Sequence, residues 1–476
     1  MAGTRDSALG TRKKQPQGVH AWSAPLFRGL QGIRDLLALA AALPQRYPAL
    51  LESAASGANA RWDILFAFPQ ESLILHAGER MCEASDADGR TGFLHALDRA
   101  FARNREQSDS RQDLPFTGGW LLYLGYELAE EIEPKLRLLR NSRSDTPIAL
   151  ALHCPAAILV DREHARTWLV VKSGGHADLL DAMERDLAWT VSHAVSEPLL
   201  PPLEIVEDDP ASFLAGVERI HHYLRRGDTF QVNLSRQWHA RYGAPPNPAA
   251  IYDSLRRANP APFAGLLQYD DWAIISSSPE RLLEIRDGIA QTRPIAGTRP
   301  RVNGDDDTAC IRELLTHAKE RAEHVMLIDL ERNDLGRICV PGSVRVDELM
   351  TVESYAHVHH IVSNVRGCVR AGVTPGEAIA AVFPGGTITG CPKVRCMEII
   401  AELEGVTRGP YTGALGYLCN DGDMDLNILI RTLHVRGNEV TFRAGAGIVA
   451  DSDALHELEE TRAKARGLLR ALDAFA

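Results

Sequence analysis

The sequence predicts an α+β protein in which large sheets are layered with helices. Short runs of strand-like alternation are interleaved with longer segments of helical period, and turn sequences such as Asp287-Gly288 separate neighbouring strand-like runs. The composition is that of a globular protein, with 45% hydrophobic and 24% charged residues. At 476 residues, the chain has room for two or three domains or for one large unit with two cores. Strands interleaved with helices in this way favour layered sheets over a Rossmann unit.

The first part of the chain divides into three predicted segments. Residues 1–20 are polar and basic, and we expect a flexible tail there. Residues 21–195 form a predicted N-terminal region, and residues 196–210, with four prolines and an acidic cluster, form a predicted linker. The N-terminal region contains a predicted helix over about 30–43, ending at Pro44, and predicted strands over 64–68, 120–124 and 158–160.

Residues 211–476 form the second half of the chain and carry clearer local signals. Three strand-like runs, separated by turn sequences, predict an antiparallel meander over 411–418, 426–435 and 439–444. Further strands are predicted over 272–277 and 282–286 and in a run that ends near Thr292. Helices are predicted over about 308–331, 376–382, 393–404 and 453–473.

Charge and hydropathy argue against several classes of protein. The chain has 52 Lys and Arg against 63 Asp and Glu, a formal net charge of −11, so we expect no broad contact with nucleic acid or anionic membrane. The longest apolar run, residues 36–43, is far shorter than the roughly 18 residues of a spanning helix. The N-terminal residues show no apolar signal region, and we therefore expect a cytoplasmic protein.

Paired glutamates on two distant predicted helices are the most informative chemical pattern. Glu320 and Glu323 lie three residues apart and share a helix face, and so do Glu457, Glu460 and Lys464 in the last helix. Two such faces could meet around Mg²⁺, which binds one or two carboxylates directly and keeps other oxygens. A solvated surface face is the alternative, since glutamate is abundant on exposed helices. The spacing alone leaves both interpretations open.

Glycine-rich loops and a histidine cluster form the other candidate features. The loops at 294–299, 384–390 and 444–447 could bind a carboxylate or phosphate through their backbone N–H groups. The second is not a P-loop, because Cys-Pro-Lys follows Gly390. His357, His359 and His360 lie beside a strand-like run, and one acid/base histidine is more plausible there than a zinc site.

Several of these segments, in this order, carry a specific resemblance. They are GDTFQVNLS (227–235), SSPER (277–281), PIAGTR (294–299), LIDLERNDLGR (327–337), FPGGTITGCPKVRCMEII (383–400) and AGAGIVADS (444–452). With them the chain resembles the chorismate-utilising enzymes, which include anthranilate synthase component I, aminodeoxychorismate synthase component I, isochorismate synthase and salicylate synthase. The resemblance to the catalytic domain of this family covers about residues 208–473, which makes residues 211–476 the predicted catalytic domain. A weaker resemblance covers about residues 25–190. It implies a large two-sheet α/β sandwich and an active site that uses Mg²⁺ to bind chorismate.

The resemblance also implies roles for individual residues. Glu323 and Glu460 would bind Mg²⁺ directly, with Glu320 and Glu457 reaching it through water. Glu280 would be the general acid that protonates the departing C4 hydroxyl, and His360 would be a polarising or basic group. The residues implied in gripping the substrate, chiefly its carboxylates, are Thr298, Gly297, Thr387, Tyr411, Arg431, Gly445, Gly447 and Lys464.

Gln231 is the first guide to the reaction within the family. Isochorismate and salicylate synthases have a water-activating lysine at this place, so a neutral glutamine favours ammonia as the nucleophile. Asn233 and the His359-His360 pair resemble aminodeoxychorismate synthase, whose product is 4-amino-4-deoxychorismate on the route to p-aminobenzoate and folate. Ala296 stands where the enterobacterial enzymes of that kind have a covalently attacking lysine, and anthranilate synthases also have alanine there. Anthranilate and pyruvate are therefore the alternative products.

The sequence also suggests a protein partner and a second pocket. None of the eight cysteines has the Gly-x-Cys-x-Gly surroundings of a glutaminase nucleophile, so we expect a separate glutamine amidotransferase subunit to supply ammonia. Leu51, Glu52 and Ser53 resemble part of the tryptophan-binding site of anthranilate synthases, and they form either a regulatory pocket or a buried structural one. A non-catalytic amino-acid-binding regulator is a minor alternative, which predicts lost site residues, whereas all are present.

Overall fold

The computed structural model describes residues 24–54, 61–79, 91–105, 113–138, 146–172, 174–192, 199–300, 312, 318–354 and 358–472. The predicted tail over residues 1–20 lies outside this part of the chain, as do His357 and all but one of the residues 308–317. Among the described residues, no helix combines the length and apolar character that crossing a membrane requires.

Strands dominate the structure. In chain order they are β1 (Leu26–Gln31), β2 (Ala49–Glu52), β3 (Trp62–Ala67), β4 (Ser72–Leu75), β5 (Gly119–Leu124), β6 (Ala149–Cys154), β7 (Ala156–Asp161), β8 (Arg166–Val171), β9 (Glu204–Glu207), β10 (Gln231–Arg241), β11 (Phe263–Tyr269), β12 (Trp272–Ser278), β13 (Arg281–Arg286), β14 (Ile289–Thr292), β15 (Ile295–Pro300), β16 (Arg345–Ser354), β17 (Val358–Cys368), β18 (Gly390–Cys391), β19 (Ala414–Cys419), β20 (Met424–Ile428), β21 (Thr432–Arg436) and β22 (Glu439–Ile448).

Helices connect and cover these strands. They are α1 (Leu37–Ala42), α2 (Phe93–Asn104), α3 (Ala129–Ile132), α4 (Asp178–Ser192), α5 (Pro210–Arg225), α6 (Pro248–Ala258), α7 (Ala318–Gly336), α8 (Pro375–Val382), α9 (Lys393–Glu404) and α10 (Ala454–Ala471), with a short 3₁₀ helix at Tyr126–Leu128. Helix ends follow ordinary capping chemistry. Thr374 forms a reciprocal capping box with Glu377 at the start of α8, and left-handed Gly405 ends α9.

Two large antiparallel sheets organise the described strands. Sheet A has the order β1-β8-β7-β3-β2-β11-β12-β21-β22-β10-β18, with β9 also pairing with β10. Sheet B has the order β15-β17-β14-β13-β20-β19-β5-β6-β4, with β16 also pairing with β17. Strands from the predicted N-terminal region and from the predicted catalytic domain therefore share both sheets. The α+β class and the two-sheet sandwich are confirmed.

The sandwich has apolar cores on both faces of each sheet. Phe66, Tyr123, Ile274 and Tyr417 belong to the buried cluster between the two sheets. On the outer face of sheet A, apolar residues of α1, α4, α6 and α10 form a second cluster with the strands. A third lies on the outer face of sheet B and includes residues of α2, α8 and α9. This layering leaves room for a polar site only where small or polar residues interrupt the inter-sheet core.

The chain crosses from one sheet to the other at Arg431. Strand β20 lies in sheet B and β21 in sheet A, with only Leu429, Ile430 and Arg431 between them. Arg431 adopts φ +51°, a left-handed conformation that is uncommon for a residue with a side chain. The prediction of one strand over 426–435 in a single meander was therefore wrong. The continuous apolar run concealed the turn, because it supplies core residues to both sheets.

Two predictions for the N-terminal part also differ from the structure. The predicted helix over 30–43 is strand β1, a connecting segment and the short helix α1. Leucine and alanine content favoured a helix, but β1 gains its hydrogen bonds by pairing with β8, from Leu26 opposite Val171 onwards. Within the predicted linker, Glu204–Glu207 form β9 on the edge of β10, and Pro210 begins α5.

Candidate active site

The candidate site lies on the paired strands β10 and β22, whose side chains alternate between two faces of sheet A. Val232 and Leu234 of β10, with Ala446 and Ile448 of β22, face the outer helices in one apolar cluster. Because successive side chains of a strand point to opposite faces, the intervening residues face the space between the sheets. These intervening residues form cross-strand pairs, Asn233 opposite Gly447 and Ser235 opposite Gly445.

The two glycines make room for polar side chains. A Cβ atom at position 447 would lie 2.5 Å from Gln231 Nε2, and one at position 445 would lie 2.7 Å from the Tyr411 hydroxyl. The Asn233 Oδ1 atom lies equally close to position 445, at 2.8 Å. Gln231 Oε1 and Asn233 Oδ1 are buried and have no hydrogen-bond partner among the described residues. Unsatisfied acceptors at such a place indicate a polar ligand site.

Lys464 joins this cluster from the last helix. Its Nζ atom donates to the Gly445 carbonyl at 2.9 Å and pairs with Glu460 at 2.7 Å. Glu457 lies one helical turn before Glu460 on α10 and is only 7% exposed. Burial raises the pKa of Glu457, against the lowering effect of the Ser452 hydroxyl, and the negative charge of Glu460 raises it further.

Glu280 is held at the start of strand β13. Its backbone N–H donates to Ser278 Oγ at 3.2 Å, and its carbonyl accepts from the Ile428 N–H at 3.0 Å. Burial raises the pKa of its carboxyl to about 7, against the lowering effects of the nearby Thr387 hydroxyl and of the Lys464 and Arg431 cations. A carboxyl with this pKa can hold a proton near neutral pH and give it up during a reaction.

His360 lies on strand β17 of sheet B. In the pairing of β15 with β17 it stands opposite Thr298, and Gly297 lies in the left-handed region at a bulge beside this pair. Burial lowers the pKa of His360 to about 4, and the nearby Arg431 cation lowers it further. His360 is therefore a neutral imidazole at physiological pH.

The structure thus brings most of the predicted site residues into one region. Gln231, Tyr411, Gly445, Gly447 and Lys464 are joined by direct contacts, as described above. Glu280 lies near this group, because the Lys464 and Arg431 cations and the Thr387 hydroxyl all act on its carboxyl. Arg431 also acts on His360, so His360 lies in the same region. For Thr298 the structure describes the backbone and strand pairing alone.

The predicted magnesium ligands lie on two helices. Glu323 lies on α7, which packs against β15 and β17, and Glu457 and Glu460 lie on α10, which packs against β22. In the described part of the chain, the carboxylate oxygens of Glu323, Glu457 and Glu460 do not lie close enough to one another to hold one metal ion together. The side chain of Glu320 lies outside the described part. The magnesium site stays a prediction.

A buried ion network beneath the site was not anticipated. The Glu404 carboxylate pairs with Arg408 at 2.7 Å and with Arg443 at 3.1 Å, and it accepts from the Ser235 backbone N–H at 2.9 Å. Arg408 also donates to the Asn233 carbonyl at 2.7 Å. Although burial alone raises the pKa of Glu404, the Arg408 and Arg443 cations bring it below its ordinary value. The network fixes β10, while Arg408 stacks on the Tyr411 ring.

The residues of the predicted amino-acid pocket lie elsewhere in the sandwich. Leu51, Glu52 and Ser53 line a cavity of about 150 Å³ together with Phe263 and Tyr417. Within it, Ser53 Oγ donates to the Pro262 carbonyl at 3.1 Å. Buried Glu52 is engaged by the protein itself, since it accepts from the Tyr252 hydroxyl at 2.7 Å and pairs with Arg256 at 3.3 Å. A regulatory role for this pocket stays a prediction.

Comparisons with known proteins place the chain in a family. The family described as "chorismate binding enzyme" matches residues 48–470. An anthranilate synthase component I-like protein of Synechocystis is 43% identical, over 76% of this chain and 74% of its own length. Aminodeoxychorismate synthase component 1 of Bacillus subtilis is 40% identical, over 77% of this chain and 80% of its own length.

A solved structure supports the same assignment. Anthranilate synthase component I from Streptococcus pneumoniae is 32% identical, covers 87% of this chain and 93% of its own, and superimposes with a TM-score of 0.74. The resemblance found in the sequence motifs is confirmed by these matches. The chain belongs to the chorismate-binding enzymes and is a chorismate-utilising enzyme.

Proposed function

We propose that the protein adds ammonia at C4 of chorismate with loss of the C4 hydroxyl, giving 4-amino-4-deoxychorismate. The observation that carries this proposal is the neutral side chain of Gln231 in the inter-sheet site, packed against Gly447. An amide cannot remove a proton from water, so a water-adding reaction would lack its base at this position. Ammonia needs no such base once it is unprotonated.

Glu280 supplies the proton that the departing hydroxyl needs. Hydroxide is a poor leaving group, and a carboxylic acid that still holds its proton near pH 7 can release it as water. Burial gives Glu280 a pKa of about 7, which suits this role. Neutral His360 then acts as a hydrogen-bonding group that polarises the substrate, because its lowered pKa leaves it uncharged.

The two carboxylates of chorismate are held by cations and backbone amides. Arg431 offers a planar guanidinium for bidentate recognition, and Lys464 offers a point charge anchored on the Gly445 carbonyl. The Tyr411 hydroxyl and the backbone of Gly445 and Gly447 provide further contacts to the substrate carboxylates. Gly297 and Thr298 of β15 and Thr387 of the 383–390 segment are the remaining proposed contacts.

Mg²⁺ is the cation that we propose for the predicted acidic ligands. Glu457 is buried beside Glu460, and two adjacent carboxylates in such a place favour a bound cation of the hard, oxygen-binding kind. Glu323 and Glu460 would hold Mg²⁺ directly, with Glu320 and Glu457 in the surrounding shell. Bound Mg²⁺ would withdraw electrons from the ring carboxylate and so favour addition to the diene.

A separate glutamine amidotransferase subunit is the proposed source of ammonia, and the product would serve p-aminobenzoate and folate synthesis. Anthranilate synthesis is the second candidate, favoured by the relatives named for that activity and by Ala296. Chorismate, Mg²⁺ and an ammonium salt, followed by product chromatography, distinguish the two. A product that becomes p-aminobenzoate only after addition of a lyase supports the proposal, and direct formation of anthranilate refutes it.

A further inference from the structure

A second cavity lies beside the candidate active site. It has a volume of about 570 Å³ and is bounded by Tyr411, Thr432, Thr441 and Arg443 on one side. Tyr411 belongs to both places, since its hydroxyl lies against Gly445 in the active site. Tyr411 therefore lies at the boundary between the second cavity and the candidate active site.

Strands β10 and β22 run from the candidate active site to the second cavity. Gln231 and Gly447 lie in the active site, whereas Gln237 and Thr441, six residues further along the same faces, line the second cavity. Six strand residues span about 20 Å. Between the two places, Ser235 and Asn233 contact the buried Glu404, Arg408 and Arg443 side chains, which adjoin Tyr411.

The lining of the second cavity is acidic. Four glutamates, Glu79, Glu127, Glu130 and Glu131, contribute carboxyl groups, and the lining also includes His76. The cations that face it, Arg408 and Arg443, are already paired with buried Glu404. Burial lowers the pKa of His434, which also lines the cavity, to about 4, so this side chain is neutral there. A lining of this kind concentrates small cations.

Two groups inside the cavity have unused hydrogen-bonding capacity. The Tyr123 hydroxyl is buried, lines the cavity and has no hydrogen-bond partner among the described residues, and the Tyr123 side chain is only 1% exposed. Glu127 is half-buried and accepts from the backbone N–H of Arg408 at 2.7 Å and of Gly409 at 3.1 Å. A carboxylate has about four acceptor sites, so Glu127 can accept further hydrogen bonds from a ligand.

We propose that this cavity collects ammonium and that Glu127 removes its proton, so that neutral ammonia reaches the ring past Tyr411. This inference rests on the proposed amination. In the step, one N–H bond of ammonium breaks, its electron pair stays on nitrogen, and the proton moves to the Glu127 carboxylate. Glu127 afterwards returns the proton to solvent through the acidic lining. Burial raises the pKa of Glu127 to about 7, which leaves a usable fraction of the base at neutral pH.

Two variants of the full chain test the route in different ways. Glu127→Gln removes the base while keeping an oxygen that can accept from the Arg408 and Gly409 amides. Thr91→Trp places an indole at the edge of the cavity, at a position where the wild-type side chain is exposed to solvent. Glu133→Gln is the matched control, because Glu133 follows Glu130 and Glu131 in sequence but does not line the cavity.

The assay varies ammonium chloride at saturating chorismate and Mg²⁺ at pH 7. We expect both test variants to raise KM for ammonium about 5–20-fold, with KM for chorismate unchanged and Glu133→Gln like wild type. At pH 9 the Glu127→Gln defect should shrink, because more of the nitrogen is already ammonia, whereas the Thr91→Trp defect should persist. A merely structural role for Glu127 predicts no such recovery.

The outcomes separate this inference from the function on which it rests. If wild type aminates chorismate and both variants keep the wild-type KM for ammonium, the route is wrong and the proposed function stands. If the variants raise KM for chorismate equally, the cavity acts on the substrate site instead, and the route is again wrong. If wild type forms no nitrogen-containing product, the proposed function fails and the route fails with it.

Discussion

The side-chain amide of Gln231 occupies the space that a side chain at position 447 would fill. The two residues lie on adjacent strands, and a Cβ atom on Gly447 would come within 2.5 Å of Gln231 Nε2. Real Cβ contacts are essentially never this short, so a side chain at position 447 would force the Gln231 amide to move. The absence of a side chain at position 447 lets Gln231 reach the space between the sheets.

This relationship predicts the effect of adding one methyl group. Gly447→Ala should displace the Gln231 amide and lower kcat/KM for chorismate about 10–100-fold, because small misplacements of site residues are costly. Gly336→Ala is the control, since nothing lies within 4 Å of a Cβ there. Steady-state kinetics of both variants measure the effect. Equal activity of Gly447→Ala and wild type would show that the position of the Gln231 amide does not matter for the reaction.

Glu280→Gln should lose most of the activity. Without a proton donor for the leaving hydroxyl, turnover should fall about 10²–10⁴-fold, while chorismate still binds through the opposite side of the site. Glu398→Gln, at an exposed position of α9, should keep wild-type turnover. Turnover by Glu280→Gln within a few-fold of wild type would mean that another group donates the proton.

The pH dependence follows from the same residue. Glu280 acts in its protonated form, and burial raises its pKa to about 7. Activity that depends on this proton should therefore be full below about pH 7 and should fall as the pH rises through that value. The measurement is kcat/KM for chorismate from pH 6 to 9 at a constant concentration of free ammonia. A profile that stays flat to pH 9 would contradict the assignment.

Glu460→Gln should weaken magnesium binding. Replacing a ligand by a neutral amide should raise the Mg²⁺ concentration for half-maximal activity by at least about 10–100-fold. The control Glu459→Gln changes the exposed neighbouring residue on the same helix, where the side chain pairs with Arg462. Isothermal titration with Mg²⁺ gives a second readout. Unchanged Mg²⁺ dependence in Glu460→Gln would show that α10 does not contribute the ligand.

The ion network beneath the site should contribute to stability. Arg408→Met leaves part of the buried Glu404 charge without its partner, and such losses cost about 3–5 kcal/mol of unfolding free energy. Arg332→Met breaks an exposed pair with Asp329 and should cost at most about 1 kcal/mol. Urea denaturation of both variants provides the comparison. An equal loss of unfolding free energy in the two variants would show that the buried Arg408–Glu404 pair contributes no more to stability than an exposed pair.

Local sequence patterns predicted many single elements of the fold. The strand predicted over 272–277 and the helix predicted over 393–404 match β12 and α9 closely, because alternation and helical period are local properties. The crossing at Arg431 could not be predicted in this way. Which sheet a strand joins depends on partners distant in sequence, and an uninterrupted apolar run suits either sheet.

The candidate site shows the same division. Motif resemblance predicted residues such as Glu280, Lys464 and Gly445, but not that Gly445 lies against Tyr411. The Glu404–Arg408 pair had a sequence signal, its spacing of four residues, yet Arg443 joins it from another strand. The second cavity had no local signal, because its lining comes from segments that only sheet stacking brings together.

The most direct test of the central claim is the ratio of pyruvate released to nitrogen incorporated. The wild-type chain is incubated with chorismate, Mg²⁺ and ¹⁵N-ammonium in the absence of any lyase, and both quantities are measured in the same sample. Amination at C4 predicts ¹⁵N in a product that keeps its enolpyruvyl group, with essentially no pyruvate. One pyruvate for each nitrogen incorporated, with ¹⁵N-anthranilate as the product, would contradict the proposed function.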